Sequence, residues 1–563
     1  ASLNEKRQAG NIYDRLQLLS PSANDSPRPV TRLVLGFSEQ ADNDMSNFRL
    51  NDVVVLYPYM PGQEPDLRRT MVFRCSIEQV TANRITLVLR APQTDANVFL
   101  RDADKHWAIE HDFIESSYSS LYRGMHAFLS APQERRDLLL LQRDPAVDSS
   151  LQLCGDYGKF NELALRVKQA QDFFLIIGPP GTGKTSFGLM TTLHEALLTP
   201  DASILLLSYT NRAVDEICSK LVEEKLDFIR IGNELSCPEI YRPYLLSSAV
   251  SECSRLAQVK ERIMSGRIFV GTTTALNTSI SLFRLKSFDL AIVDEASQIL
   301  EPHLMGFLSA VKDNVPAIRK FVFIGDHKQL PAVVQQHSDE SRVQEAALND
   351  ILLTDCRLSL FERLLKRYRK RPEVVFMLKR QGRMHHDIAD FPNRAFYAGQ
   401  LTEVPLEHQQ QPLPEAAPHA DFFKKILTTQ RIAFIAAPQP PKSPSDKVNQ
   451  TEADLIAEAV VKIYELTGSN FDVAHTVGII VPYRNQIATI RNTLDRYGIP
   501  ALHDITIDTV ERYQGSQRDY ILYGFTIQQY YQLNFLTDTV FEEDGALIDR
   551  KLNVAMTRAR EHL

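Results

Sequence analysis

The stretch FFLIIGPPGTGKTSFGLMTTLHEALL, residues 173–198, decides the fold. Five apolar residues, Phe173 to Ile177, have the length and continuity of a strand buried on both faces. A glycine-rich turn of the form GxxxxGKT follows, and then a run with helical spacing. Strand, glycine loop and helix in that order form a P-loop. Gly178, Pro179, Pro180, Gly181, Thr182 and Gly183 let successive N–H groups face one phosphate, and the helix N-terminus adds a favourable dipole. Lys184 is placed to reach the β- and γ-phosphates, Thr185 to ligate magnesium, and Ser186 to line the same turn.

Working outward, strands and helices alternate from residue 173. SILLLSY, DFIRIG, IFVG, LAIVDE and FVFIGD are strand-length apolar runs with room for a helix between them. A second series follows: EVVFML, RIAFIAA, TVGIIV, ITIDTV and YILYGFT. The expected fold class is α/β, with two parallel-sheet lobes, the first carrying the P-loop. Residues 30–100 read differently. FRLNDVVVLYPY, MVFRCSIEQV and RITLVLR are short β-branched runs between polar turns, which point to a small β-barrel or sandwich. The expected division is a helical segment over 1–29, an accessory barrel over 30–100, a helical stalk over 101–150, a first lobe over 151–366 and a second over 367–563. Trp107, the sole tryptophan, is read as a packing anchor at the barrel–stalk junction. EHQQQPLPEAAPHAD (407–421) and APQPPKSPSDK (437–447) read as exposed loops.

Composition sets few limits. At 563 residues the chain is too long for one core. Hydrophobic residues make up 44% and charged residues 24%, as in ordinary globular proteins. The net charge of −7 neither advertises nor excludes a nucleic-acid partner, since a sum over the chain hides local grooves. Six cysteines lie scattered without a CxxC pair, which argues against zinc, an iron–sulfur cluster or a disulfide framework and for a reducing compartment. No apolar stretch of about 18 residues exists to span a membrane. The first residues lack a secretion signal and a methionine, and TRAREHL stops inside an apparently structured segment, so the sequence is read as a fragment of a longer intracellular protein, cytoplasmic in a prokaryote or nuclear in a eukaryote.

A nucleotide site needs a second carboxylate-bearing strand end, and FDLAIVDEASQ supplies it. Asp294 is assigned to the magnesium shell, and Glu295 to polarising a water for in-line attack. Kinases, GTPases, transporter ATPases and motors all remain open at this point, although the guanine-reading NKxD is missing.

GPPGTGKTS, VDEASQ, GDHKQLPAV, RQGRMHHDIADFPNRAFYAGQL, VPYRNQ, TVERYQGSQRDY and KLNVAMTRAR occur in the order and spacing of a superfamily 1 helicase. The chain resembles the up-frameshift-like branch, and SYTNRAVDEI, FIRIG and VDEASQILEP most resemble its replication nuclease-helicase motors. The resemblance covers residues 151–563 well and the barrel more weakly. It implies two RecA-like parallel-sheet P-loop lobes, and an ATP- and Mg²⁺-dependent helicase or translocase on single-stranded nucleic acid, DNA rather than RNA, moving 5′ to 3′ and able to work as a monomer. It also implies that a nuclease or interaction domain lies outside this span. A remodelling ATPase that does not unwind, an RNA helicase of the same branch and a nucleotide-gated scaffold are the competing readings.

The resemblance further assigns residues. Gln329 lies between the γ-phosphate and the nucleic-acid groove, where an amide both donates and accepts without adding charge. Asp326 and Lys328 are read as fixing the turn, and His327 as a loop residue. Arg383 and Arg558 come from the opposite lobe to stabilise the transferred phosphoryl group. Gly515 completes the nucleotide pocket. Asn161 takes the place of an adenine-reading glutamine, Gly382 that of an aromatic and Gln517 that of a glutamate, three departures that bear on base selectivity. His385 and His386 lack the i, i+4 spacing of a helical metal pair. Thr210, Asn211, Thr272, Thr273, Pro482, Tyr483, Arg484, Thr509 and Val510 are the expected strand contacts, with Tyr483 stacking on a base.

Overall fold

The computed structural model describes residues 2–21, 29–38, 47–50, 52–81, 83–101, 104–112, 117–334, 336, 338–413, 421–438 and 445–563. These fall into two compact units, Ala1–Ser116 and Ser117–Leu563.

The first unit is a closed six-stranded antiparallel barrel. Its strands are β1 (Ile12–Ser20), β2 (Val30–Gly36), β3 (Val53–Tyr59), β4 (Phe73–Val80), β5 (Arg84–Gln93) and β6 (His106–His111), in the order β1-β2-β5-β4-β3-β6. The inward set follows the two-residue period of a pleated strand: Phe73, Cys75 and Ile77 on β4, Ile85, Leu87 and Leu89 on β5. Trp107 is fully buried against Phe73 and Phe99, with ring centroids 6.2 Å away in each case.

Two expectations are corrected here. Residues 1–29 are not a helical segment: a short helix, Leu3–Gln8, leads into β1. The barrel also runs past residue 100, because β6 closes it inside the stretch expected to be stalk. Both strands carry acids that interrupt the apolar alternation. Asp14 is buried against Arg7, and Glu110 against Lys6 and the Tyr57 hydroxyl, so each acid is partnered inside the fold.

The second unit opens with the helix Ser117–Ser130, which crosses the helix Glu301–Leu308 at Gly124 and Gly306. A Cβ on Gly124 would lie 3.1 Å from the Gly306 nitrogen, so this approach needs two residues without side chains. The main sheet contains β7 (Phe173–Ile177), β8 (Ile204–Ser208), β9 (Ile229–Ile231), β10 (Ile268–Thr272) and β11 (Phe288–Val293). After the small ladder of β12 (Val311–Lys312) and β13 (Val315–Pro316), it is completed by β14 (Ile318–Gly325) and β15 (Val375–Met377). All seven strands are parallel, in the order β15-β7-β14-β11-β8-β10-β9. The strands that end at the P-loop, at Gln329 and at Asp294 are therefore neighbours, and their C-terminal ends form one edge.

The short pair β16 (Arg380–Gln381) and β17 (Thr402–Glu403) leads to a second parallel sheet. It contains β18 (Val477–Ile480), β19 (Thr506–Asp508), β20 (Arg518–Tyr523) and, after the hairpin β21 (Phe541–Glu543) and β22 (Ala546–Ile548), β23 (Ala559–His562). Its order is β19-β18-β20-β23. The α/β class with two parallel sheets and an antiparallel barrel is as expected.

The lobe boundary at 366/367 is corrected. EVVFML forms β15 on the first sheet, where Leu175 donates to Val374 O and Leu378 to Ile177 O. Pairing satisfies the outer edge of β7, which would otherwise leave backbone groups open. RIAFIAA forms no strand: Ala433 donates to Leu563 O, Leu563 donates to Arg431 O, and Phe434 is 80% exposed. Of the two expected loops, 407–421 contains a helical turn at Glu407–Gln410, and residues 414–420 and 439–444 lie outside the described residues.

Candidate nucleotide and strand site

The P-loop takes its shape from local constraints. Gly181 and Gly183 have φ of +74° and +75°, the left-handed region that favours glycine. Gly178 donates to Gly325 O at 2.9 Å, tying the loop to the end of β14, and the Thr182 hydroxyl donates to Pro179 O at 2.7 Å. The helix begins with a wide π-type turn over Lys184–Leu189, and such turns recur at functional sites. Lys184 Nζ lies 2.7 Å from Glu295 Oε1, and the Thr185 hydroxyl donates to Asp294 Oδ2 at 2.9 Å.

Glu295 occupies the left-handed region at φ +52°, strained for a residue with a side chain. The Gln298 amide donates to its Oε2 at 2.9 Å, while Lys184 holds its Oε1. The two carboxyls are driven apart in acidity. Burial, together with the Glu295 charge, pushes Asp294 well above the usual carboxylate range. Burial opposes ionisation of Glu295 too, but Lys184 outweighs it and holds this carboxyl below its usual value. An ionised carboxylate thus stands beside a raised one at the end of β11. Thr185 and Asp294 offer two hard oxygen ligands on one side of the loop, a donor set that suits Mg²⁺, and a cation there would favour the charged form of Asp294.

The corner Asp326–Gln329 is bonded to the second lobe at every residue. Asp326, fully buried, accepts from the Gln329 amide at 2.8 Å and from the Tyr397 hydroxyl at 2.7 Å. Asn553 donates to both Tyr397 Oη, at 2.9 Å, and Lys328 O, at 2.7 Å. Arg558 Nη2 donates to Gln329 Oε1 at 3.2 Å. Glu543, at the tip of the β21–β22 hairpin, meets His327 Nε2 at 3.0 Å and Lys328 Nζ at 2.7 Å. Burial works against the Glu543 charge, but His327 and Lys328 prevail and bring its pKa down to about 2. Arg369 grips the adjacent Asp544 with two bonds of 3.0 Å. Asp326 and Lys328 therefore do more than fix their own turn: they are joints between lobes.

Arg383 and Arg558 face the same cleft. Arg383 donates to Gln517 Oε1 at 2.8 Å and Thr557 O at 3.2 Å; Arg558 also donates to Val554 O and Ser516 O. None of these acceptors is a carboxylate. Burial lowers Arg383 to about 10, and burial together with the nearby Arg383 lowers Arg558 to about 9. Two guanidinium groups that repel one another, Arg558 buried and Arg383 half-buried, favour an anion between them. Gly515, at φ +82°, sits in the turn that presents Ser516 O and Gln517 to these arginines. Asn161 is engaged locally: its carbonyl accepts from Tyr157 N at 2.6 Å and its amide donates to Asp156 at 2.8 Å. His385 caps the helix His386–Tyr397, accepting from Asp387 N, and among the described residues no three His, Cys, Asp or Glu side chains gather as a metal site.

The expected strand contacts lie at C-terminal strand ends of both sheets. Thr210 and Thr272 cap their helices, accepting from Ala213 N and Ala275 N, while Asn211 and Arg484 are exposed. Pro482 and Tyr483 follow β18, and Tyr483 stacks on Phe535 at 5.2 Å. Thr509 donates its N–H to Asp508. Thr273 and Val510 do not join this surface: both side chains are buried, Val510 in the core of the second lobe. Tyr397, Asn553 and Glu543 were not foreseen, because each acquires its role through a partner on the other lobe.

One AAA-domain profile matches residues 161–267 and 247–337, and a second matches residues 356–563. The DNA replication ATP-dependent helicase/nuclease JHS1 of Arabidopsis thaliana is 28% identical over 517 residues, 87% of this chain and 35% of its own length. The DNA replication ATP-dependent helicase/nuclease DNA2 of Mus musculus is 31% identical over 433 residues, 71% of this chain and 36% of its own. The chain thus spans roughly a third of the length of these relatives. Among solved structures, the arterivirus nonstructural protein 10 helicase aligns at 12% identity with a TM-score of 0.37, covering 100% of this chain and 79% of that one.

Proposed function

From the premise that this chain belongs to the superfamily 1 helicases, in the branch of the replication helicase/nucleases, we propose that residues 117–563 are an ATP-driven motor that moves along single-stranded DNA. In this reading the P-loop N–H groups and Lys184 bind the β- and γ-phosphates, Lys184 leaving Glu295 to do so. Freed of that ion pair, Glu295 orients the attacking water, held in place by Gln298. Arg383 and Arg558 take up the charge that develops on the transferred group. Thr185 and Asp294 would hold Mg²⁺, which when bound supplies further neutralisation of phosphate charge.

The observation that carries the proposal is the buried relay Arg558–Gln329–Asp326–Tyr397. Both ends, Arg558 beside the phosphate cleft and Tyr397, belong to the second lobe, and Gln329 and Asp326 between them belong to the first. A change in the charge before Arg558 alters its bond to Gln329, and through Asp326 and Tyr397 it alters how the lobes meet. The loops that carry Thr210, Thr272, Tyr483 and Thr509 sit on both lobes, so opening and closing the cleft changes their separation along a bound strand. DNA is preferred over RNA because the relatives are named as DNA replication helicase/nucleases. Movement from 5′ to 3′ and work as a monomer belong to the same proposal, as does a nuclease or interaction domain supplied from outside this span.

The test is the steady-state ATPase rate with single-stranded DNA, single-stranded RNA and duplex, beside Glu295→Gln. Strong stimulation by single-stranded DNA that is lost in the variant supports the motor. Equal rates with every polymer contradict it and favour an ATPase that acts on proteins.

A further inference from the structure

Beside the P-loop lies a cavity of about 690 Å³ whose walls include Phe160, Phe187, Thr182 and Arg380. The rings of Phe160 and Phe187 stack, with centroids 4.8 Å apart and planes inclined by 19°. Lys159 Nζ stands 5.1 Å and 5.4 Å from the two ring centres. Phe187 remains 42% exposed although it is apolar, and it is three residues beyond Lys184 on the same turn. A Cβ on Gly183 would lie 2.3 Å from its ring, so this aromatic face begins where the phosphate loop ends.

The amide and the hydroxyl beside the rings are engaged in their own turns: the Asn161 amide is bonded to Asp156 and Tyr157, and the Thr182 hydroxyl to Pro179 O, while one oxygen of the Glu162 carboxylate accepts from Arg166. Selectivity among bases requires fixed donors and acceptors against the base edge, whereas every base offers a π-face.

We propose that the base of the bound nucleotide stacks on the Phe160–Phe187 pair and is held by its face rather than read at its edge, so that this chain hydrolyses purine and pyrimidine nucleoside triphosphates alike. The inference rests on the nucleotide-hydrolysis reading above and adds a substrate class to it. Phe187 is the residue that holds the base, through an interaction that tolerates all four bases.

The experiment compares kcat/KM for ATP, GTP, CTP and UTP in wild type, Phe187→Ala and Phe187→Trp, with inhibition by inorganic tripolyphosphate as a probe that carries no base. Wild-type values within about tenfold of one another are expected, since stacking energies differ modestly among bases. In Phe187→Ala, KM rises roughly tenfold for all four nucleotides, tripolyphosphate inhibition stays as in wild type, and Phe187→Trp restores KM. A preference for ATP of more than about a hundredfold overturns the inference and leaves the ATPase reading standing. A loss of tripolyphosphate affinity equal to the rise in KM overturns it as well, by making Phe187 a prop of the P-loop. Hydrolysis of none of the four would instead sink the functional reading on which the inference rests.

Discussion

Removing the hydroxyl of Tyr397 tests the joint between the lobes with the smallest possible change. Tyr397 is buried; its O–H donates to the Asp326 carboxylate at 2.7 Å and accepts from Asn553 at 2.9 Å. In Tyr397→Phe, Asp326 keeps the Gln329 amide and Asn553 keeps Lys328 O, so neither is stranded and the loss is confined to the two bonds. A bond to a charged acceptor contributes about 1.5–3 kcal/mol and a neutral one about 0.5–1.5 kcal/mol, so the closed cleft loses about 2–4.5 kcal/mol. At about 1.4 kcal/mol per factor of ten, that weakens closure roughly 30- to 1,600-fold. If the closed cleft is the form that turns over, kcat of the strand-stimulated ATPase falls by at least about tenfold while KM for ATP changes little. Hydrogen exchange at residues 326–329 should accelerate in parallel. Wild-type kcat with unchanged exchange would refute the claim that this network couples the lobes, and a raised KM at constant kcat would place Tyr397 in nucleotide binding instead.

Other residues give sharper or simpler outcomes. Gly181→Ala places a side chain at φ +74° with its Cβ 2.6 Å from Arg383 Cβ; a cost of about 1–2 kcal/mol in the loop plus displacement of Arg383 should lower ATPase kcat/KM by more than about tenfold, read in a steady-state assay. Glu543→Gln leaves one acceptor for two partners, His327 and Lys328, and should destabilise the motor unit by about 1–2 kcal/mol in denaturant unfolding. Because the folded-state pKa of Glu543 is lowered to about 2 from 4.5, its stabilisation is present above pH 4.5 and lost as pH falls towards 2, so acid unfolding should be shallower over that window in the variant. Lys320, buried and bonded to Val167 O, is lowered from 10.5 to about 7, chiefly by burial. The unfolded chain then holds one more proton between those values and native stability rises with pH across them. Lys320→Met should therefore raise Tm most at pH 7 or below, with a gain that shrinks as the pH approaches 10.

The legible parts of this chain are those whose meaning is local. Buried parallel strands are continuous apolar runs, so β7, β8, β10, β11 and β14 stand out, and the residues of phosphate chemistry sit at their ends within short windows. Strand assignments that depend on distant pairing did not stand out. β1 and β6 carry Asp14 and Glu110, whose burial makes sense only beside Arg7 and Lys6, and β15 belongs to the first sheet because β7 has an edge to fill. The same holds at the site. Lys184, Asp294 and Glu295 announce themselves, whereas Tyr397 lies 71 residues from Asp326 and Glu543 lies 216 from His327. No window of sequence contains both halves of either contact. Asn161 shows the converse: its position suggested a base reader, and its bonds to Asp156 and Tyr157 show an amide committed to its own turn.

The central claim is that hydrolysis behind Arg558 is converted into directed movement along a strand. Its most direct test is ATP-dependent release of streptavidin from single-stranded DNA biotinylated at one end. A motor moving 5′ to 3′ releases streptavidin from the 3′ end much faster than from the 5′ end, only with ATP, and loses that activity in Glu295→Gln. Release from neither end, while ATP hydrolysis still responds to DNA, would contradict the account.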